Sequence, residues 1–283
     1  MPQLELIKNR AKERGLIETI KSIHRHTLRV IGVRKLLMLI GSIEDTPSIR
    51  EKLNAKFDRH FNSQVAYGPL KGFRFDPKDK IKTARAARIF GLWEKEVIDT
   101  LVSLSGKRRY LVDIGAADGF YSVGMLFAGL YEKSFNFEIL NYRREQLQRT
   151  AELNNVFPSV NVFSEANLET VSELPDDVKA NSVVLCDIEG GEFELLTDDI
   201  LQSFQSCYWI IELHESHVTD GEQKLKELVQ RTEKYFVNEV IKTKERNLSE
   251  FPELEFIKDD ERWLICSDGR GRLGKWLLLS PKV

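Results

Sequence analysis

The chain has 283 residues, 42% of them hydrophobic and 30% charged, with a net charge of -2. That is enough apolar material for one large α/β domain with additions, and too little positive charge for a wholly electrostatic nucleic-acid binder. The charge is uneven: residues 1–40 hold nine Lys/Arg against three Glu, leaving a net -8 for the other 243.

Cys186, Cys207 and Cys266 are an odd set without close pairing, which argues against a disulfide framework or a Cys-x-x-Cys zinc site and for a reducing cytoplasm. The first residues are polar and charged rather than a signal peptide. The most apolar early stretch, Leu28 to Ile43, is broken by Arg29, Arg34 and Lys35 and is too short to cross a bilayer.

In chain order, residues 3–60 read as helices from the spacing of Leu4, Ile7, Ala11, Ile17, Ile20 and Ile23, with Thr46-Pro47-Ser48 as a helix start. This basic segment is expected to cap the main domain. Its sharper reading is a peripheral surface for anionic membrane. Gly68, Pro69, Gly72 and Pro77 mark a hairpin or ordered loop, and Ile81–Ser105 reads as a helix. The division is therefore drawn at residue 80: a helical, basic extension over 1–80, and a main domain over 81–283.

From Arg109 strands and helices alternate. Strands are expected at Tyr110–Ile114, Ser134–Ile139, Val160–Phe163, Ser182–Cys186 and Tyr208–Leu213. Helices are expected at Phe120–Leu130, Arg143–Asn154, Glu192–Phe204 and Gly221–Tyr235. Val237–Thr243 is the sixth strand and Arg262–Cys266 a candidate seventh, with Lys275–Ser280 a last strand or packed tail. This pattern predicts a Rossmann-like, doubly wound, mostly parallel seven-stranded sheet.

The segment Val112-Asp113-Ile114-Gly115-Ala116-Ala117-Asp118-Gly119-Phe120-Tyr121 runs from an apolar strand through small residues into a helix. Open α/β sheets bind ligands at such strand ends, and glycine lets backbone come close to a ligand. Ala117 stands where a dinucleotide fingerprint has its second glycine. Asp113 and Asp118 would repel a pyrophosphate and suit a cationic ligand such as S-adenosylmethionine. Glu138, at the end of the next strand, is placed to accept hydrogen bonds from a ribose diol.

These residues carry a family resemblance. Val112–Ser122 resembles the first motif of FkbM-like methyltransferases, class I Rossmann-like enzymes that use S-adenosylmethionine. Leu185-Cys186-Asp187-Ile188-Glu189-Gly190-Gly191-Glu192 is similar to that family's Asp-x-Glu-Gly segment, and Glu212-Leu213-His214 to its Glu-x-His ending; Trp93-Glu94 resembles its entry helix. The likeness spans roughly residues 90–215, and Ile139-Leu140-Asn141 departs from the family's Pro-containing turn. The resemblance implies that Asp113, Gly115, Ala116, Asp118 and Gly119 line the methionine and ribose side. By the same likeness, Glu138 holds the ribose, Glu165, Ala166 and Asn167 lie near adenine, and Asp187 sits under the sulfonium.

For the chemistry, Asp187, Glu189, Glu212 and His214 converge at adjacent strand ends. His214 is the candidate general base, its alternative being a structural histidine; Glu189 is alternatively a helix cap. Asp187, Glu212 and His214 are also a candidate divalent-cation set, although spacing alone does not indicate one. The acceptor is expected to be a small molecule or glycan methylated on oxygen. The competing reading is a non-catalytic ligand-binding or scaffold protein. A nucleic-acid substrate is not expected, because Asp187-Ile188-Glu189-Gly190 replaces the Asn/Asp-Pro-Pro-aromatic motif of many base methylators. The charged runs 259–262 and 267–270 are read as a solvated loop, or else as a border of the acceptor pocket.

Overall fold

A computed structural model describes residues 45–79, 84–267 and 273–282. The chain divides into two compact units, Met1–Lys52 and Leu53–Val283. The dividing line drawn at residue 80 from sequence thus differs from this one, and residues 53–79 go with the larger unit. Most of the basic segment lies outside the described residues. The part that is described begins helix α1 (Thr46–His60), where Asp45 Oδ1 accepts the Ser48 N–H at 2.8 Å. The cap is therefore Asp45, one residue before the expected start.

Among the described residues of the larger unit, seven strands form one sheet in the order β3-β2-β1-β4-β5-β7-β6. They are β1 (Tyr110–Ile114), β2 (Lys133–Phe137), β3 (Val160–Phe163), β4 (Ser182–Cys186), β5 (Tyr208–Glu212), β6 (Phe236–Lys242) and β7 (Lys275–Pro281). The first five are parallel, and β7 runs antiparallel between β5 and β6. The Rossmann-like, doubly wound sheet expected from the sequence is present. Every residue of β1 and β4 is buried, as continuous apolar runs require when helices cover both faces.

The helices of this unit are α2 (Arg85–Ile89), α3 (Lys95–Ser105), α4 (Ser122–Phe127), α5 (Asn141–Leu153), α6 (Leu168–Ser172), α7 (Asp176–Ala180), α8 (Glu192–Leu195), α9 (Asp198–Ser203), α10 (Gly221–Thr232) and α11 (Asp259–Ile265). Four differences from the sequence reading have local causes. The helix expected over 81–105 breaks at 90–94, where Gly91 (φ 65°) and Glu94 (φ 40°) are left-handed. The helix expected over 192–204 restarts at Thr197, whose side chain caps the Ile200 N–H. The polar stretch between β3 and β4 folds into α6 and α7, which periodicity missed because each is only five residues long. Arg262–Cys266 is not a strand: it follows three acids that favour a helix N-terminus and continues α11, and the seventh strand is Lys275–Pro281.

Before the sheet, residues 64 and 74 form a single antiparallel bridge, as a short hairpin predicts. Beside it Arg85, 3% exposed, bonds Asp79 at 2.8 Å, lies 3.6 Å from Asp58 and covers the Phe75 ring at 3.9 Å. Removing one partner of a buried charge cluster leaves the others uncompensated. Arg85→Ala is expected to lower the free energy of urea unfolding by about 3–5 kcal/mol. A loss below about 1 kcal/mol would show that the cluster is hydrated in solution.

Candidate active site

The glycine turn after β1 is fixed by both neighbouring strands. The Gly115 and Ala116 N–H groups bond the Phe137 carbonyl at 2.9 and 3.0 Å, and the Asp187 N–H bonds the Ile114 carbonyl at 2.9 Å. Gly115 has φ 92°, and a Cβ there would stand 1.8 Å from the Asp187 carbonyl oxygen. Glycine is required at that position because the turn passes directly over the end of β4.

Glu138 closes the turn from the other side. Its Oε2 accepts the Ala117 N–H at 2.9 Å and its Oε1 the Leu140 N–H at 2.8 Å. A carboxylate offers about four lone pairs, so two backbone bonds orient Glu138 and leave acceptor capacity for a ligand. It borders a cleft of about 730 Å³ that also takes in Gly115, Glu165, Ala166, Asn167, Asp187 and Glu189. This volume lies within the range of roughly 300–1,000 Å³ usual for ligand pockets. The cleft opens between β1 and β4, where the strand order reverses, which is where doubly wound sheets bind ligands. Exposed Ile139, Leu140 and Tyr142 supply an apolar rim where the sequence departs from the Pro-containing turn.

Four of the residues assigned to the cofactor do not border this cleft. Ala116 is buried in the turn. Gly119 serves packing: a Cβ would fall 2.7 Å from Val123 and 2.9 Å from Leu147. Asp118 pairs with Arg88 at 2.6 Å, which holds its carboxyl below the usual range against the effect of burial. Its charge is thus paired with Arg88 on α2. Asp113 is 2% exposed, and burial pushes its carboxyl up to about 7, helped by the charges of Glu138 and Asp118. Asn167, though in the cleft wall, also caps α6 by accepting the Thr170 N–H at 2.9 Å.

A second cleft, of about 860 Å³, adjoins the first and shares Asp187 and Glu189 with it. Its wall includes Glu212, His214, Glu215, His217, Trp93, Glu94 and Lys275. The break in the helix at 90–94 is what brings Trp93 and Glu94 here. His214, 7% exposed, puts Nε2 3.7 Å from Asp187 Oδ1, 3.5 Å from Glu189 Oε2 and 3.6 Å from Glu212 Oε1. The four residues expected at one chemical centre are together. Glu189 is not the helix cap: its side chain is largely exposed, and Glu192 accepts the Gly190 N–H at 2.9 Å instead.

Glu192 was not singled out from sequence. It is fully buried, accepts the His214 N–H at 3.0 Å, and lies 3.4 Å from His214 Nδ1. Its only sequence signal was its place at the end of the segment Leu185–Glu192, two residues after Gly190. Burial alone would depress the His214 pKa, but Glu192, Glu212 and Glu189 outweigh it and raise it. Of the charged runs read as a loop or pocket border, Asp259, Asp260 and Glu261 fall on α11, away from both clefts, while 268–270 lie outside the described residues.

No family model matches the chain, and neither does any curated protein sequence. Solved structures do. The METTL16 MTase domain superposes with a TM-score of 0.50 at 13% identity, covering 84% of this chain and 81% of that one. The precorrin-6y C5,15-methyltransferase of Geobacter metallireducens gives 0.44 at 14% identity over 74% and 94% of the two chains. Cofactor-bound Rv0187 gives 0.46 at 14% identity over 66% and 81%. At these identities the likeness is one of fold: the chain has the Rossmann-like architecture of the METTL16 domain.

Proposed function

We propose that the chain is an S-adenosylmethionine-dependent methyltransferase of FkbM-like type, acting on an oxygen of a small molecule or glycan. The observation that carries this reading is the pair of adjoining clefts that share Asp187 and Glu189. The first, with Gly115, Glu138 and Asn167, suits the nucleoside and methionine of the donor. The second, lined by carboxylates and histidines, suits a polar acceptor. The fold shared with the METTL16 MTase domain agrees with it. The free thiols Cys186 and Cys207, both buried, fit the reducing cytoplasm expected from sequence.

In this reading Gly115, Glu138 and Asn167 would hold the donor, with Asp187 at the junction of the two clefts. The second cleft would hold the acceptor, whose oxygen would take the methyl group as the carbon–sulfur bond breaks. Positioning and exclusion of water do most of the work, since the sulfonium already activates the methyl carbon. The proton released from the acceptor oxygen passes to the cluster of His214 and carboxylates that lines the second cleft.

The test is a melting curve with S-adenosylmethionine or its demethylated product. At a hundred times Kd the ligand adds about 2.7 kcal/mol, roughly 5–11 °C for a domain of this size. Glu138→Gln should remove that shift while the protein still unfolds cooperatively. An unshifted wild-type curve at millimolar ligand, or an undiminished shift in the variant, would overturn the assignment. Peripheral contact with anionic membrane falls on residues 1–40, outside the described residues. Among the described helices none is long and apolar enough to cross a membrane.

A further inference from the structure

The spacing around His214 is too long for hydrogen bonds and too regular to be incidental. Nε2 stands 3.5–3.7 Å from one oxygen each of Asp187, Glu189 and Glu212, whereas an N–H···O bond spans about 2.7–3.2 Å. Donor atoms that share an ion at bonds of roughly 2.1 Å, with angles of 110–120° between them, stand about 3.4–3.6 Å apart. The separations from Glu189 and Glu212 fall in that range, and the one from Asp187 lies just beyond it. Asp187, Glu212 and His214 each offer one ligand atom, all within 4.8 Å of one another.

A second observation is independent of the acids. The His214 side chain is 8% exposed and directs Nε2 towards the carboxylates of Asp187, Glu189 and Glu212. Its other nitrogen, Nδ1, faces the fully buried carboxylate of Glu192, which is itself fixed by the His214 and Gly190 N–H groups. Metal-binding histidines characteristically turn their second nitrogen to a carboxylate, which sets the tautomer and leaves the first nitrogen to the ion.

We propose that Asp187, Glu212 and His214 form a divalent-cation site in the floor of the second cleft. Oxygen ligands joined by one imidazole favour an ion of intermediate character, of which Mn²⁺ is the working example. The ion's use in holding an acceptor oxygen rests on the methyl-transfer reading; its binding does not. The alternative set, Glu189, His214 and His217, uses two exposed residues and lacks the buried Glu212.

The experiment is an electron paramagnetic resonance titration of the full chain, stripped with EDTA and dialysed, in which bound Mn²⁺ disappears from the free-ion signal. One Mn²⁺ per chain is expected at micromolar concentration. Asp187→Asn, at a partly exposed position, should weaken binding at least tenfold with an unchanged circular dichroism spectrum, and Glu212→Gln should do the same. His217→Ala should leave binding intact. A free-ion signal undiminished by the protein overturns the site, as does wild-type affinity in Asp187→Asn. Loss of binding in His217→Ala moves the ion to the outer set and overturns the assignment. Melting shifts with S-adenosylmethionine, measured on the metal-free protein, report on the donor separately. Mn²⁺ binding without a donor shift defeats only the methyl-transfer reading, and the converse defeats only the ion.

Discussion

Gly115→Ala is expected to cost more than about 4 kcal/mol and to lower the melting temperature by roughly 8–16 °C. Two effects combine. The added Cβ would sit 1.8 Å from the Asp187 carbonyl oxygen and 2.8 Å from its carbonyl carbon, inside the backbone of the neighbouring strand end. The backbone at φ 92° is also strained for any L side chain, by about 1–2 kcal/mol. Relief requires β1 and β4 to part where the Asp187 N–H bonds the Ile114 carbonyl, which opens the floor of the donor cleft. Gly129→Ala separates the two effects. Gly129 has φ 69° but open space around its Cα, so only the strain should appear. Equal losses in the two variants would show that the clash at Gly115 is relieved without consequence.

The second large effect is on pH dependence. Asp113 is buried on β1, and its carboxyl is pushed up to about 7 from 3.8. The folded chain therefore keeps this proton through a range in which the unfolded chain has lost it. Folding takes up a proton there, so this group's contribution to stability falls as pH rises from about 4 to about 7 and is level beyond. A rise of that size corresponds to about 4 kcal/mol, an upper bound for a fully buried group. Asp113→Asn keeps the shape without the charge. Its stability relative to the wild type, from urea unfolding at a series of pH values, should be near zero at pH 4 and rise towards that bound by pH 8. A difference that does not change with pH would mean that the carboxyl is ionised and partnered in solution. The paired carboxyls of Asp118 and Glu192, held low by Arg88 and His214, act in the opposite sense and at lower pH.

The sequence determined the sheet and its glycine turn. Strands buried on both faces are predominantly apolar, so Tyr110–Ile114, Asp113 apart, and Ser182–Cys186 announced themselves as runs, and Gly115 marked the turn because few residues tolerate its backbone. It also placed Asp187, Glu189, Glu212 and His214 at adjacent strand ends, since strand alternation and parallel pairing follow from local pattern. What each acid does was decided only by tertiary structure. Asp118 and Glu138 looked alike as acids beside a glycine turn, yet one is neutralised by Arg88 from a helix 30 residues earlier and the other borders a cleft. Glu192 was invisible because its importance lies in a contact with His214, 22 residues away. The choice of the last strand was left open for the same reason: Arg262–Cys266 and Lys275–Ser280 are both short and apolar, and only pairing with β5 and β6 selects the second. Local pattern fixes which backbone a segment can form; the partner of a charge depends on what distant segments bring beside it.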